Sequence, residues 1–177
     1  HQVIILDPHS HVAEALLDRC VSMQPDIYHV LKRCPEHVIY YPDEGASKRY
    51  ADLIERPYLF GVKRREWGTG VITGLTVHGD VNVAGRKVLM IDDICSRGGT
   101  FYHSAKALKE MGADEISIFC THCENTIAEG ELLKGDLIHK VFTTSSIFDI
   151  SKCPPQFQDK FVVTMIDTDY GPIPDED

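Results

Sequence analysis

The stretch VLMIDDICSRGGTF, residues 88–101, decides the fold. Four apolar residues are followed by two adjacent carboxylates, Asp92 and Asp93, and then by the turn-forming sequence Ser-Arg-Gly-Gly-Thr. An apolar run that leads into a glycine turn is typical of a buried strand that connects to a helix, because glycine permits the sharp change of direction. We therefore predict a buried strand over 88–91, a tight turn over 96–100 and a helix over 101–111.

The rest of the chain repeats this alternation of short apolar runs and amphipathic stretches. Strands that are apolar on both faces and separated by helices indicate a parallel sheet covered on both sides, so the predicted fold class is α/β. In such a sheet, ligands bind at the carboxyl ends of the strands, where the strand order switches. The other predicted strands cover 3–6, 38–41, 58–62, 116–120, 140–142 and 161–166, and the helix-like stretches cover 10–19, 46–55, 100–111 and 125–134.

Length and composition limit the function classes. The chain has 177 residues, of which 43% are hydrophobic, and this is enough for the core of one domain or slightly more. It has no apolar run of about 18 residues and no signal-peptide pattern, so we expect a cytoplasmic protein that does not bind a membrane. A formal charge of −9 argues against a nucleic-acid partner, because such proteins present a basic face. The acidic tail from Asp167 is predicted to be a solvated terminus.

The six cysteines do not show the spacing of a two-pair metal site. We expect them to be reduced and to fill small apolar spaces. Cys120 and Cys123 form a CxxC motif at the end of a predicted strand, and a redox or zinc role for this motif is the alternative. The cysteines are at positions 20, 34, 95, 120, 123 and 153.

The opening stretch also predicts a binding site. A glycine turn at a helix N-terminus directs backbone N–H groups and the positive end of the helix dipole at one point, which suits a phosphate. Two carboxylates beside it suit hydroxyl groups or Mg²⁺, so a sugar phosphate would satisfy both halves of the site. The alternative is that Asp92 or Asp93 only caps the turn and that the glycines only reverse the chain.

The same stretch resembles the phosphoribosyl-diphosphate loop of type I phosphoribosyltransferases. In that loop an apolar strand is followed by two acidic residues, two spacer positions, and then Asp or Ser, Thr, Gly, Gly and Thr. Ser96, Gly98, Gly99 and Thr100 match that pattern, whereas Arg97 replaces the usual threonine. Four further stretches narrow the resemblance to the ribose-phosphate diphosphokinase family, and they occur in that family's order. They are Asp7-Pro8-His9, residues 42–49, Lys63-Arg64-Arg65, and Thr121-His122 followed by residues 144–147.

The resemblance implies a three-layer α/β/α fold and an enzyme that transfers the diphosphoryl group of Mg-ATP to the anomeric hydroxyl of ribose 5-phosphate, releasing AMP. Lys63 and Arg65 would be the catalytic cations, since negative charge develops on the transferring phosphoryl group. His9, and secondarily Asp7, would be a metal ligand on the Mg²⁺ and ATP side. Asp43, Asp92 and Asp93 would hold the ribose, and Ser96, Arg97, Gly98, Gly99 and Thr100 would hold its 5-phosphate.

The resemblance also implies a domain organisation and an assembly. The family is built from two similar α/β domains, so we expect residues 1–22 to end a truncated N-terminal domain and residues 23–177 to form the C-terminal domain. The portion that would contact most of the ATP is then absent, and we expect such a trimmed chain to turn over poorly. A homo-oligomer, either a dimer or a hexamer, is expected because family members complete the ATP site across an interface. Residues 66–70 would form a closing flap that carries the single tryptophan, Trp67.

Three alternatives stay open at this stage. Arg97 adds a bidentate anion donor, which would suit an acceptor whose 5-phosphate bears a further phosphoryl group, such as ADP-ribose. A phosphoribosyltransferase, which uses phosphoribosyl diphosphate to glycosylate a nitrogen base, shares the opening loop but does not predict Lys63-Arg64-Arg65. A non-catalytic regulatory relative would lack the acidic pair or the catalytic cations, and this sequence has both.

Overall fold

The computed structural model describes residues 3–10, 12–25, 27–68 and 72–166. Within these residues the chain forms a seven-stranded sheet, a separate two-stranded sheet, and helices that pack on the larger sheet. The strands are β1 (Val3–Leu6), β2 (Cys20–Met23), β3 (Val38–Tyr41), β4 (Tyr58–Arg65), β5 (Ile72–His78), β6 (Val88–Cys95), β7 (Ile116–Cys123), β8 (Val141–Thr144) and β9 (Phe161–Thr164). The helices are α1 (Val12–Leu16), α2 (Ile27–Arg33), α3 (Glu44–Ile54), α4 (Gly99–Glu110) and α5 (Pro155–Gln158), with short 3₁₀ helices at Asn125–Glu129 and Ile150–Lys152.

The larger sheet has the strand order β5-β4-β3-β6-β7-β8-β9, and every neighbouring pair is parallel except β4 and β5. After β3 the chain continues to β4 and β5 on one side and then returns through β6 to β9 on the other. The switch in strand order therefore lies between β3 and β6, and the residues at the carboxyl ends of these two strands share one crevice. Asp43 follows β3, and Asp92 lies near the end of β6.

The larger sheet separates two hydrophobic layers, because successive residues of a strand point to opposite faces. Leu89 of β6 packs in the layer that contains Tyr50 of α3, whereas Met90 packs in the layer that contains Phe101 of α4. Burial of an apolar side chain such as Leu89 or Phe101, both fully buried here, stabilises the fold by about 1.5–3 kcal/mol. The predicted α/β class and the three-layer arrangement are therefore confirmed.

The predicted parallel sheet is joined by one antiparallel strand. β4 extends to Arg65, beyond the predicted end at residue 62, and pairs with β5. The segment 72–78 mixes threonine, glycine and histidine with apolar residues, so no apolar run marks it as a strand.

The flap predicted at 66–70 lies partly outside the described residues, and the tail from Asp167 lies wholly outside them. Trp67, which is described, is fully exposed.

The helix predicted over 125–134 is wrong. The structure has a 3₁₀ helix over Asn125–Glu129, and the chain then passes close to the turn after β6. A Cβ atom at Gly130 would lie 2.0 Å from the carbonyl oxygen of Arg97, so this approach is open only to glycine. The contact joins distant parts of the sequence, and hydrophobic periodicity does not reveal it.

Several other elements differ from the prediction or were not predicted. α1 is shorter than the predicted stretch 10–19, and β2, α2 and α5 carry no strong sequence signal.

All six cysteines are free thiols, as expected. Among the described residues, no helix combines the length and the apolar character needed to cross a membrane.

The close approach at Gly130 predicts a sharp difference between two glycine substitutions. Gly130→Ala should lower the free energy of unfolding by about 1–3 kcal/mol, because the new methyl group collides with the backbone of Arg97. Gly99→Ala should leave the melting temperature nearly unchanged, since a Cβ there meets nothing within 4 Å. Thermal unfolding followed by circular dichroism measures both variants. Equal melting temperatures would contradict the packing of residue 130 against residue 97.

Candidate functional site

The carboxyl edge of the central strands brings together side chains from three separate sequence motifs. Lys63 of β4 lies with its Nζ 3.2 Å from Oδ2 of Asp43 and 3.3 Å from Oγ1 of Thr100. Asp43 comes from the turn after β3, and Thr100 comes from the first turn of α4. The Lys63 side chain is only 11% exposed, so its ammonium group is held in place among these partners. The cation, the carboxylate and the loop hydroxyl that the sequence predicted therefore meet at one point.

Asp43 is fixed by the helix that follows it. It is the N-cap residue of α3, and its Oδ1 accepts a hydrogen bond from the backbone N–H of Ala46 at 3.0 Å. Partial burial alone would raise the pKa of Asp43, but the hydrogen bond from Ala46 and the ammonium of Lys63 outweigh this effect and lower it. Asp43 is therefore an ionised, oriented carboxylate at the rim of the crevice.

Asp93 is buried, which differs from the expectation that both carboxylates of the pair face the ligand. Adjacent residues of a strand point to opposite faces, and Asp93 turns towards α3. Its side chain is 1% exposed, and its Oδ2 lies 2.7 Å from Nη1 of Arg49 and 2.6 Å from Nδ1 of His9. Burial alone would raise the pKa of Asp93, but hydrogen bonds from Asp92, Arg49 and His9 outweigh it, so the pKa lies below its usual range. Its present partners are thus two side chains of the protein, those of Arg49 and His9.

Asp92 has the opposite environment. It is half-buried, its Oδ1 accepts a hydrogen bond from the backbone N–H of Asp93, and none of the described side chains forms an ion pair with it. Burial, followed by the neighbouring Asp93, raises the pKa of Asp92 well above its usual range. A carboxylate that is costly to ionise without a partner is suited to receive a cation or hydroxyl donors from a ligand.

The turn between β6 and α4 is shaped by Gly98. Its φ of 77° lies in the left-handed region, and a Cβ there would lie 2.6 Å from a methyl group of Leu132. As the N-cap residue of α4 it offers no side-chain hydrogen bond to the first turn of the helix. The leading N–H groups of this 12-residue helix are therefore not capped by a side chain, which is the arrangement that binds an anion.

Ser96 and Arg97 occupy the outer part of the turn, where glutamates contact both of them. Ser96 Oγ donates to Oε2 of Glu124 at 2.7 Å, and Arg97 Nη2 donates to Oε2 of Glu129 at 2.9 Å. The Arg97 side chain is 72% exposed, so this ion pair is worth at most about 1 kcal/mol. Both contacts are therefore easily exchanged for contacts to a bound anion.

The N-terminal segment docks beside this edge through polar contacts. The carboxylate of Asp7 is fully buried and accepts hydrogen bonds from the hydroxyls of Tyr50, at 2.6 Å, and Thr121. His122 lies 3.0 Å from the carbonyl oxygen of Leu6 through its Nε2. Asp7 is thus a structural acceptor, which differs from the expectation that it is a secondary metal ligand on the Mg²⁺ and ATP side.

His9 keeps one nitrogen available. Its side chain is 78% exposed, and its Nδ1 faces the carboxylate of Asp93. Because an ionised carboxylate only accepts hydrogen bonds, Nδ1 carries a proton, and in the neutral imidazole the lone pair is then on Nε2. A carboxylate behind a histidine is the usual support for a metal-binding imidazole.

Arg49 is the functional residue that sequence reasoning missed. Lys48, its neighbour in the chain, is 74% exposed. Arg49, however, is only 14% exposed and donates from Nη2 to the carbonyl oxygen of His9 at 2.6 Å. Helical periodicity contains the signal, because Arg49 follows buried Ala46 by three residues and so shares its face.

Arg65, the second predicted catalytic cation, pairs through its backbone with Ile72 of β5. Its side chain lies outside the described part of the chain.

The candidate site itself is an open crevice at the carboxyl edge of the sheet. A cavity of about 430 Å³ lies at the opposite edge of the sheet, lined by residues such as His37, Arg56 and Arg86, and contains none of the predicted site residues.

Comparison with known proteins identifies similar chains. Residues 70–160 match the family model described as the phosphoribosyl synthetase-associated domain. The ribose-phosphate pyrophosphokinase of Pyrococcus abyssi is 39% identical over 116 residues, which cover 63% of this chain and 39% of the relative. The enzyme of the same name from Cereibacter sphaeroides is 33% identical over 132 residues, which cover 68% of this chain and 38% of the relative. The chain therefore spans less than half the length of these relatives.

A solved structure supports the fold. The phosphoribosylpyrophosphate synthetase from Mycobacterium smegmatis superposes with a TM-score of 0.72, covering 93% of this chain and 54% of that one, at 21% sequence identity. At this identity the similarity establishes the shared fold.

The raised pKa of Asp92 predicts how a substitution changes stability with pH. In the unfolded chain the carboxyl ionises near its usual pKa of about 4, whereas in the folded chain it holds its proton to higher pH. Folding therefore loses stability as pH rises between these two values. Asp92→Asn keeps a hydrogen-bond donor but cannot ionise, so it should raise the melting temperature by several degrees at pH 8 and have little effect at pH 4.

Asp52→Asn on the exposed face of α3 is the matched control and should change nothing at either pH. The measurement is the melting temperature of both variants and the parent chain from pH 4 to pH 9. An Asp92→Asn chain that is less stable than the parent at alkaline pH would contradict the environment assigned to Asp92.

Proposed function

The chain belongs to the phosphoribosyl synthetase-associated family, and from this membership and the geometry at the sheet edge we propose that it carries the ribose 5-phosphate side of a diphosphoryl-transfer enzyme. The reaction would move the diphosphoryl group of ATP to the anomeric hydroxyl of ribose 5-phosphate and release AMP. The membership confirms the resemblance that the motifs predicted. The observation that carries the proposal is the meeting of Lys63, Asp43 and Thr100 at one point of the crevice.

The acceptor would be held by two groups of opposite character. The uncapped N-terminus of α4 and the hydroxyl of Thr100 would bind the 5-phosphate, because the helix end supplies N–H donors and a partial positive charge. Asp92 would accept hydrogen bonds from ribose hydroxyls, since it is half-buried and has no ion-pair partner among the described side chains. Asp93 would act indirectly, since it holds His9 and Arg49.

Lys63 would supply positive charge where the transferring group develops negative charge. Such transfer needs little covalent chemistry from the protein, so preorganised cations carry much of the rate enhancement. Asp43 and Thr100 fix the Lys63 ammonium before the substrate arrives, so no reorganisation is required at the moment of reaction. Arg65, two residues later in β4, is proposed as the second cation from its motif.

Mg²⁺ fits the residues at this edge. Hard cations prefer carboxylate oxygens, and Asp92 offers a half-buried carboxylate with no ion-pair partner among the described side chains. Asp92 would hold the ion together with substrate oxygens, and Nε2 of His9 would contact the ion on the ATP side. When bound, Mg²⁺ neutralises charge on the phosphates.

The position of Lys63 favours this activity over glycosylation of a nitrogen base. A phosphoribosyltransferase would share the loop at 96–100 but does not need a cation on β4 that contacts Thr100. A non-catalytic relative is disfavoured because the Lys63 side chain is only 11% exposed and is oriented at the loop. An assembly of several copies, as a dimer or a hexamer, stays a prediction, as does the division of the chain at residue 22.

The role of Lys63 predicts a loss of turnover without a loss of acceptor binding. Lys63→Ala should lower kcat about 10²–10³-fold, and Lys63→Ala with Arg65→Ala further, because these charges act mainly in the transition state. Affinity for ribose 5-phosphate, measured by calorimetry, should change little. Lys48→Ala, on the solvated face of α3, is the control and should match the parent in both measurements.

AMP release from Mg-ATP and ribose 5-phosphate reports turnover. Calorimetry does not depend on ATP, so it tests the acceptor site even where turnover is slow. Failure of the parent chain to bind ribose 5-phosphate would overturn the proposal. Equal losses in kcat and in acceptor affinity would reassign Lys63 to ordinary binding.

Arg97 extends the proposal to the size of the acceptor. Its exposed guanidinium is held only by Glu129, and a second phosphoryl group on the 5-phosphate would replace that contact with a charge-assisted bidentate one. Arg97→Thr should therefore weaken ADP-ribose binding about tenfold or more and leave ribose 5-phosphate binding nearly unchanged. Calorimetric titration of both acceptors measures this. Equal effects on the two acceptors would remove ADP-ribose from the proposal.

A further inference from the structure

Three cysteine thiols form a compact cluster behind the turn at 96–100. Cys95 ends β6, and Cys120 and Cys123 lie in the second half of the neighbouring strand β7. Cys95 and Cys123 are register partners in this parallel pair. All three side chains are buried, with exposures of 0–2%, and all are free thiols.

The three sulfur atoms lie close enough together to act as ligands of one metal ion. The three Sγ atoms all lie within 4.8 Å of one another. A trigonal ion with metal–sulfur bonds of about 2.3 Å would place its sulfurs about 4.0 Å apart, so the cluster needs only small side-chain movements to reach that geometry. The surroundings are apolar, since the three cysteines belong to the core layer that also contains Phe101, Ile127 and Leu132.

We propose that Cys95, Cys120 and Cys123 form a three-sulfur site for a soft metal ion, with Cu(I) as the ion that suits it. Thiolate sulfur selects soft ions, and Cu(I) accepts three sulfur ligands. Zinc in structural sites takes four ligands, and the described residues bring only three close sulfurs together. This site is separate from the sugar-phosphate site and does not depend on the proposed function.

Burial decides how the ion would enter. In the metal-free chain the hydrogen bonds among the three thiols, followed by burial, have the net effect of raising the pKa of each thiol, so the thiols are inert towards oxidants and electrophiles. A metal ion present while the chain folds meets exposed thiols instead, and each metal–sulfur bond that forms replaces an S–H bond whose proton goes to solvent. Metal uptake is then coupled to folding, as in other buried thiolate sites.

The cluster is connected to the phosphate-binding turn by short backbone links. Cys95 precedes Ser96 directly, and Cys123 precedes Glu124, which accepts the hydrogen bond from Ser96. The backbone N–H of Glu124 also donates to the carbonyl oxygen of Cys95 at 2.8 Å. An ion that joins the ends of β6 and β7 would therefore brace the base of the turn.

The test is a Cu(I) titration of the reduced chain under anaerobic conditions, in competition with a chromophoric Cu(I) chelator. The chain is refolded from denaturant with the ion present. One equivalent should bind, and Cys95→Ser, Cys120→Ser and Cys123→Ser should each weaken binding about tenfold or more. Cys20→Ser on β2 and Cys153→Ser are the controls and should bind as the parent does. The loaded parent chain should also melt at a higher temperature than the metal-free chain.

X-ray absorption of the loaded parent chain counts the sulfur ligands directly and does not depend on whether the variants fold. Three sulfurs are expected. Absence of stoichiometric uptake during refolding would overturn the proposal, as would binding that survives Cys120→Ser in a folded chain. A loss in Cys153→Ser as large as in Cys120→Ser, with four sulfurs around the ion, would overturn the three-sulfur assignment.

Discussion

The adjacent carboxylates at the end of β6 constrain the rest of the site, because two like charges one residue apart cannot share one environment. The strand pleat separates them, and the protein neutralises one of them internally. Asp93 is paired with Arg49 of α3 and with His9, and removal of one partner from such a buried pair costs about 3–5 kcal/mol. Burial opposes ionisation of Asp92, and the fixed negative charge of Asp93 adds to this effect. The availability of Asp92 is thus a consequence of where Asp93 is held.

The same pairing positions the N-terminal segment. Arg49 donates both to Asp93 and to the backbone of His9, so one guanidinium joins α3, β6 and the chain after β1. The buried carboxylate of Asp7 repeats this pattern with Tyr50 and Thr121. These contacts are polar and short-ranged, whereas the apolar side chains Val12 and Leu16 of α1 remain exposed. The segment is therefore placed by hydrogen bonds to the site and not by the main hydrophobic core.

The sequence predicts well those structural features that depend on residues close together in the chain. The apolar run at 88–91, the glycine turn and the helix after it are local features, and they fix the α/β class and the loop. The burial of Asp93 depends on Arg49, which is 44 positions away and comes from a helix whose contacts the sequence does not specify. The end of the 3₁₀ helix at Gly130 depends on the backbone of Arg97 in the same way. Strand β5 has no apolar run because, as an edge strand, it contributes little to the core.

The N-terminus of α4 and the side chain of Asp92 together limit which ligands the candidate site can bind. The N-terminus of α4 favours a negative group, whereas Asp92 favours hydroxyl groups or a cation, yet both belong to the same strand–turn–helix unit. A free phosphate would satisfy the helix and leave Asp92 without a partner from the ligand, while a neutral sugar would satisfy Asp92 and leave the helix uncapped. A sugar that bears a phosphate at one end and hydroxyls at the other meets both requirements. Its phosphate can lie at the helix N-terminus while its hydroxyls lie at Asp92. Glu124 and Glu129 must then release Ser96 and Arg97, which is a small cost for exposed side chains. The proposed preference for a sugar phosphate therefore follows from one carboxylate that the fold pairs with Arg49 and one that has no ion-pair partner among the described side chains.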